Sequence, residues 1–116
     1  MLKKLLGKFA ENRAEDLLKQ AGLRIVDRNW HCRQGEIDLI AQDGDVLVFV
    51  EVRSRSHDAY GSAADSITPA KQRRIVRAAR HYLAKLPVTP ACRFDVVTLD
   101  QAKEPVWIRS AFDDMG

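Results

Sequence analysis

Asp38 and Glu51 are the residues of this 116-residue chain whose type and spacing most directly suggest chemistry. They lie in two short runs, Gly35-Glu36-Ile37-Asp38-Leu39-Ile40 and Phe49-Val50-Glu51-Val52-Arg53, separated by Gln42-Asp43-Gly44-Asp45. Asp-Gly between two alternating apolar runs is a strong hairpin cue. With Asp43 and Gly44 at the tip, Gln42 pairs with Asp45, Asp38 falls opposite Phe49, and Glu36 falls opposite Glu51. Side chains alternate along a strand, so Glu36, Asp38, Glu51 and Arg53 share a face with Ile40, Leu47 and Phe49. The other face carries Ile37, Leu39, Val46, Val48, Val50 and Val52. Two apolar faces mark strands in the middle of a sheet, where a carboxylate is destabilising unless something compensates it. A divalent metal would compensate two of them. Magnesium takes one or two protein carboxylates and completes its shell with water and phosphate oxygens. Such an ion polarises a phosphodiester and acidifies a bound water. Arg53, two residues beyond Glu51, would orient that water or offset charge in the transition state. The competing explanation is a polar strip at the end of a sheet, with Arg53 pairing Glu36 across the ladder.

The elements that must position these residues can be read from periodicity. Residues 2–21 form an amphipathic helix in which Leu6, Ala10, Ala14, Leu17, Leu18 and Ala21 keep helical spacing, and Gly22 suits its end. Residues 23–32 read as a strand, and the hairpin covers 35–41 and 46–53. Residues 54–66 have no period and read as a loop that could lie over a site. Thr68 caps a second helix that has Pro69 in its first turn. Its apolar face is Ile75, Ala78, Ala79, Tyr82, Leu83 and Leu86, and Pro87 and Pro90 end it. Strands follow at 92–99 and 106–110, and the tail from Ala111 to Gly116 is expected to fray. The order is helix, three strands, helix, two strands. It predicts an α/β fold: a mixed central sheet, antiparallel in the hairpin and parallel across the helical crossover, with a helix on each face.

Composition narrows the function classes. The length suits one domain, residues 1–116 with 110–116 as tail, and 46% hydrophobic residues suffice for a core. A net charge of +3 permits a polyanionic partner without requiring one. Cys32 and Cys92 lie in no paired metal spacing, so reduced thiols in a cytoplasmic protein are the expectation. The opening Met1-Leu2-Lys3-Lys4-Leu5-Leu6 resembles a signal peptide, but Glu11, Arg13, Glu15 and Asp16 replace the apolar run that should follow. No segment could span a bilayer.

The second helix holds Lys71, Arg73, Arg74, Arg77, Arg80 and Lys85, and no acid stands between Pro69 and Leu86. These cations could grip a phosphate backbone, Lys71, Arg74 and Arg77 above all, or could simply form a solvated face. Arg28 and Arg55 add positive charge near the hairpin. His31, His57 and His81 have no partner at metal-ligand spacing. His57 and Tyr60 could touch a substrate from the loop, Tyr60 by stacking on a base. Trp30 and Trp107 read as core or sheet-edge residues. No Cys-His arrangement suggests a nucleophile, and no glycine loop is built for phosphate.

Taken together, the pieces resemble the YraN-type bacterial family of predicted endonucleases, related to archaeal Holliday junction resolvases and placed in the PD-(D/E)xK superfamily. The resemblance runs along Ala10-Glu11, Gly22, Arg28-Asn29, the two hairpin runs, Lys71-Gln72 and Arg93-Phe94-Asp95-Val96-Val97. It implies a restriction-endonuclease-like fold and a magnesium- or manganese-dependent nuclease. The substrate would be DNA, branched or otherwise structured. Asp38 and Glu51 would be the metal ligands, and Glu11 would match a helix-borne glutamate completing the site through water. Arg28 and Asn29 would join the nucleic-acid contacts, and resolvase-like relatives suggest a homodimer. Arg53 stands where the superfamily has lysine. Arginine stays protonated and cannot accept a proton, though it can still stabilise charge. The alternative function is a catalytically weak or inactive nucleic-acid-binding module of the same fold, and a third is a protein-interaction domain.

Overall fold

The structure, a computed structural model, describes residues 2–55, 67–100 and 104–113. Helix α1 (Leu2–Gln20) leads into β1 (Arg24–Cys32), β2 (Gly35–Asp43) and β3 (Val46–Arg55). Helix α2 (Pro69–Leu83) then leads into β4 (Ala91–Asp100) and β5 (Val106–Phe112). The five strands form one sheet in the order β1-β2-β3-β4-β5. Every neighbouring pair is antiparallel except β3 and β4, which run parallel across the α2 crossover. This is the mixed α/β architecture expected, and it is consistent with a restriction-endonuclease-like fold.

Both helices begin or end where local chemistry directs. At the close of α1, the Leu23 N–H bonds Leu18 O at 3.0 Å and the Gly22 N–H bonds Lys19 O at 2.9 Å. Gly22 takes φ 95, the left-handed turn-out of a Schellman motif. At the start of α2, Thr68 Oγ1 accepts from Lys71 N at 3.2 Å, and Pro69 fills the first turn.

Each face of the sheet is closed by one helix. Ile75, Val76, Ala78 and Ala79 of α2 pack on Ile37, Ile40, Leu47, Phe49, Phe94 and Val96. Ala10, Ala14 and Leu18 of α1 pack on Leu39, Ala41, Val48, Val50, Val97 and Leu99. The strands carrying the two acids are therefore covered on both sides, as their composition predicts.

Three expectations need correction. The hairpin tip is Gly44-Asp45, not Asp43-Gly44: Asp43 pairs with Val46, Ile40 with Phe49 and Leu39 with Val50. Gly44 has φ 59 and Asp45 has an ordinary φ, so glycine occupies the first loop position, as in a II′ turn. The register shifts by two residues. A shift of two leaves faces unexchanged from Leu39 to Val50, while Glu51, not Phe49, becomes the cross-strand neighbour of Asp38 one step beyond the last paired residues.

The second correction concerns Ile37. It packs under α2, whereas Leu39, two residues on, packs under α1. The alternation breaks at Asp38. On the partner strand, Arg28 pairs with Leu39 and Trp30 with Ile37. Asn29, between them, has φ 49, a left-handed conformation that asparagine tolerates better than most residues. A kink in the β1-β2 pair thus coincides with the acidic residue. The third correction lies at the far end. Strand β5 runs to Phe112, whose ring stacks on Phe94 at 5.1 Å, so Ala111 and Phe112 belong to the sheet and not to a frayed tail. Residues 56–66, and with them His57 and Tyr60, lie outside the described residues.

A candidate metal and phosphate site

Strands β2 and β3 and the first turns of α2 enclose a cleft of about 200 Å³ lined by Gly35, Glu36, Asp38, Glu51, Lys71, Arg74 and Ile75. Glu51 is 6% exposed. Asp38 is half-buried, and its Oδ2 accepts from Val52 N at 2.8 Å. That bond ties the Asp38 carboxylate to the strand that carries Glu51. Lys71 Nζ reaches down from α2 to Glu51 Oε1 at 3.0 Å. Gly35 admits the helix: a Cβ there would stand 3.3 Å from the Arg74 carbonyl oxygen, closer than most real contacts.

The electrostatics follow from this burial. Loss of solvent pushes the Glu51 carboxyl up from 4.5 to about 7, the Asp38 charge adds to the rise, and Lys71 opposes it. Asp38 is also raised by burial, against the Val52 N–H bond and a bond from the Glu51 carboxyl. The two acids titrate as a pair that shares protons. Glu11, on α1, is raised by partial burial and then by the charge of Asp38, while a hydrogen bond from Asn29 lowers it. The helix-borne glutamate therefore stands within electrostatic reach of the pair.

The donor set fits a hard divalent cation. Two carboxylates from neighbouring strands, one buried and one half-buried, carry up to two negative charges against one lysine. Among the described residues no group of three or more His, Cys, Asp or Glu side chains is placed to hold a metal. The remaining positions around an ion would be those of water and phosphate oxygens, as magnesium prefers.

The other expected residues are distributed unevenly. Arg74 lines the cleft, and Arg77 is exposed one turn further along α2. Arg53 contributes charge that lowers the Glu51 carboxyl but does not line the cleft. Arg28 points to α1 and grips Glu15 with two bonds, of 2.6 and 2.9 Å. Asn29 forms the kink and bonds Glu11. Arg55 ends β3, and its side chain is outside the described part.

Two features escape a reading of the sequence as strands and faces. One is the Lys71–Glu51 pair. Its signal was present, because Lys71, Ile75, Ala78 and Tyr82 follow one another at i, i+4, i+7 and i+11, the helix's inward line. The other is Asp95, fully buried on β4. It accepts from Arg93 Nε at 3.1 Å, Trp107 Nε1 at 2.9 Å and Ser110 N at 3.0 Å. Arg93 also bonds Asp43 at 2.8 Å, so this network fastens β4 to β5 and to the end of β2.

Comparison with known proteins places this sequence in a family. The model of the uncharacterised protein family UPF0102 matches residues 10–99. A UPF0102 protein of Nitrosomonas eutropha is 51% identical over 108 residues, 93% of this chain and 93% of its own. One from Nitrosospira multiformis is 52% identical over 115 residues, 97% of each chain. Another, from Cupriavidus taiwanensis, is 57% identical over 109 residues, 92% of this chain and 82% of its own.

Proposed function

This chain belongs to the uncharacterised protein family UPF0102, the YraN-type family of its sequence resemblance, and we propose that it is a magnesium- or manganese-dependent nuclease acting on branched or otherwise structured DNA. The observation that carries the reading is the Asp38–Glu51 carboxylate pair, half-buried and buried respectively, at the floor of an open cleft whose other wall is cationic. Carboxylates alone would repel a phosphate. Lys71 and Arg74 beside them make the cleft attractive to both a cation and an anion, the combination that phosphodiester hydrolysis needs.

Asp38 and Glu51 would hold the ion, which supplies Lewis acidity toward the scissile phosphate and an acidified water. Val52 N–H keeps one Asp38 oxygen fixed. Glu11, whose carboxyl feels the charge of Asp38 and is bonded by Asn29, would complete the site by holding a water. Arg74 and Arg77 would bind flanking phosphates along α2. Two cuts in a branched substrate require two centres, so the working unit would be a homodimer. Cys32 and Cys92 form no disulfide, and the cytoplasm is the setting that goes with this reading. Among the described residues no helix is long and apolar enough to cross a membrane.

The test uses purified protein with magnesium or manganese and a panel of branched, duplex and single-stranded DNA. Asp38→Asn and Glu51→Gln should each reduce cleavage at least about 100-fold without loss of folding. Equal cleavage by wild type and both variants would remove the proposed site. One observation favours a second reading, a binding module that does not cut. Lys71 already neutralises Glu51, and no third ligand stands beside the pair among the described residues. DNA binding without turnover in either metal, unaltered by Asp38→Asn, would favour that reading.

A further inference from the structure

We propose that Lys71, delivered by helix α2, and not Arg53 on the strand, is the cation that touches the scissile phosphate. The inference rests on the nuclease reading above and assigns the charge-stabilising role within it. Four observations converge. Lys71 Nζ stands 3.0 Å from Glu51 Oε1, whereas Arg53, two residues beyond Glu51, does not line the cleft. Lys71 lies in the first turn of α2, where the positive helix end disfavours a cation. It is nonetheless held there, and the helix register that places it is fixed by the burial of Ile75, Val76, Ala78 and Ala79. Gly35 lets the backbone of that same helix approach β2, so the lysine is brought to the acids by main-chain geometry as well as by charge.

A lysine ammonium suits this place. It is a compact charge on a flexible stem and can turn from Glu51 to a phosphate oxygen in the cleft without rebuilding the helix. A divalent cation held by Asp38 and Glu51 would take up the charge that Glu51 offers the ammonium, and Lys71 would then be free to face an incoming phosphate. In the reaction, the oxygen of water bonds to phosphorus and one phosphorus–ester oxygen bond breaks. A proton leaves the water, and the departing oxygen gains one. Lys71 keeps all its protons and contributes charge alone. Arg74, one turn on, would hold a neighbouring oxygen.

The experiment compares wild type with Lys71→Met, Lys71→Arg, Arg53→Met and Asp38→Asn. Steady-state cleavage should show kcat of Lys71→Met lower by about 100-fold with KM changed less than about threefold. Lys71→Arg should recover part of that loss, and Arg53→Met should lose less than about tenfold. Calorimetric titration of manganese without DNA gives a readout independent of turnover. Lys71→Met should bind the ion at least as tightly as wild type, because a competing cation is gone, and Asp38→Asn should lose binding. Cleavage that depends on Asp38 but is within about fivefold of wild type in Lys71→Met overturns this inference and leaves the nuclease reading standing. An Arg53→Met loss as deep as that of Lys71→Met overturns it too. So does a drop of manganese affinity of about tenfold or more in Lys71→Met, which would make the lysine a brace for the carboxylates. A wild type that cuts no DNA in either metal sinks the nuclease reading, and this inference with it.

Discussion

Glu51 links stability to pH in the opposite direction to most acids. Its folded-state pKa, about 7, lies above the ordinary 4.5, so between these values the folded chain holds a proton that the unfolded chain has lost. Without metal, stability should therefore fall as pH rises from 4.5 to 7 and level off above it. The difference corresponds to a penalty on the order of 3 kcal/mol shared with Asp38. Thermal melts in chelator should show this decline, and Glu51→Gln should flatten it. Added magnesium should raise the melting temperature more at pH 7.5 than at pH 5, because it replaces the proton between the carboxylates. Glu15 behaves conventionally. Bonds from Arg28 and Lys19 lower its carboxyl to about 2, so its contribution is present above 4.5 and lost as pH falls toward 2. Asp95 plays a different part. Asp95→Ala would strand Trp107 Nε1, Ser110 N and one side of Arg93 in the sheet. It should cost about 3–5 kcal/mol in urea denaturation while leaving manganese affinity in the surviving fold unchanged.

At the scale of elements, the site depends on how closely α2 approaches β2. Gly35→Ala places a methyl 3.3 Å from a backbone carbonyl that cannot swing aside. It should cost about 1–3 kcal/mol and draw Lys71 away from Glu51, with chemical denaturation measuring the first effect and loss of cleavage the second. The elements themselves were legible. Gly22 and Thr68-Pro69 punctuate the helices, and the two-sided apolar pattern of β2 and β3 announced a central hairpin. What escaped was register. Asp43-Gly44 and Gly44-Asp45 are both plausible tips, and the choice depends on whether glycine takes the first or second loop position, which turn type decides. The kink escaped because nothing in the composition of β1 singles out Asn29. Its left-handed φ becomes necessary only once Ile37 and Leu39 must face different helices. Asp95 sat within an apolar run, and its need for three donors from β4 and β5 is a tertiary fact. Lys71 stands in sequence among the outward cations, although its helical position matches the buried line.

At the scale of the molecule, the exposed guanidinium groups of Arg73, Arg74 and Arg77 lie on one helix that begins at the acidic cleft. DNA binding should weaken with salt, and Arg74→Ala with Arg77→Ala should reduce the slope of log affinity against log salt by about 2. Fluorescence anisotropy across a salt series, with calcium in place of the supporting metal, measures it. An unchanged slope would place the phosphate track elsewhere. Among the described residues, the two non-glycine residues at positive φ, Asn29 and Ser110, both lie in the outer strands β1 and β5. Both outer ladders also slip register, between Ile25 and Asp27 on one side and between Phe94 and Val96 on the other. Neither border of the sheet thus offers a straight row of main-chain donors and acceptors for a foreign strand to copy. The bend beside Asp38 doubles as a safeguard against fibrous stacking, and it turns any pairing of two copies away from β-extension and toward helices or side chains.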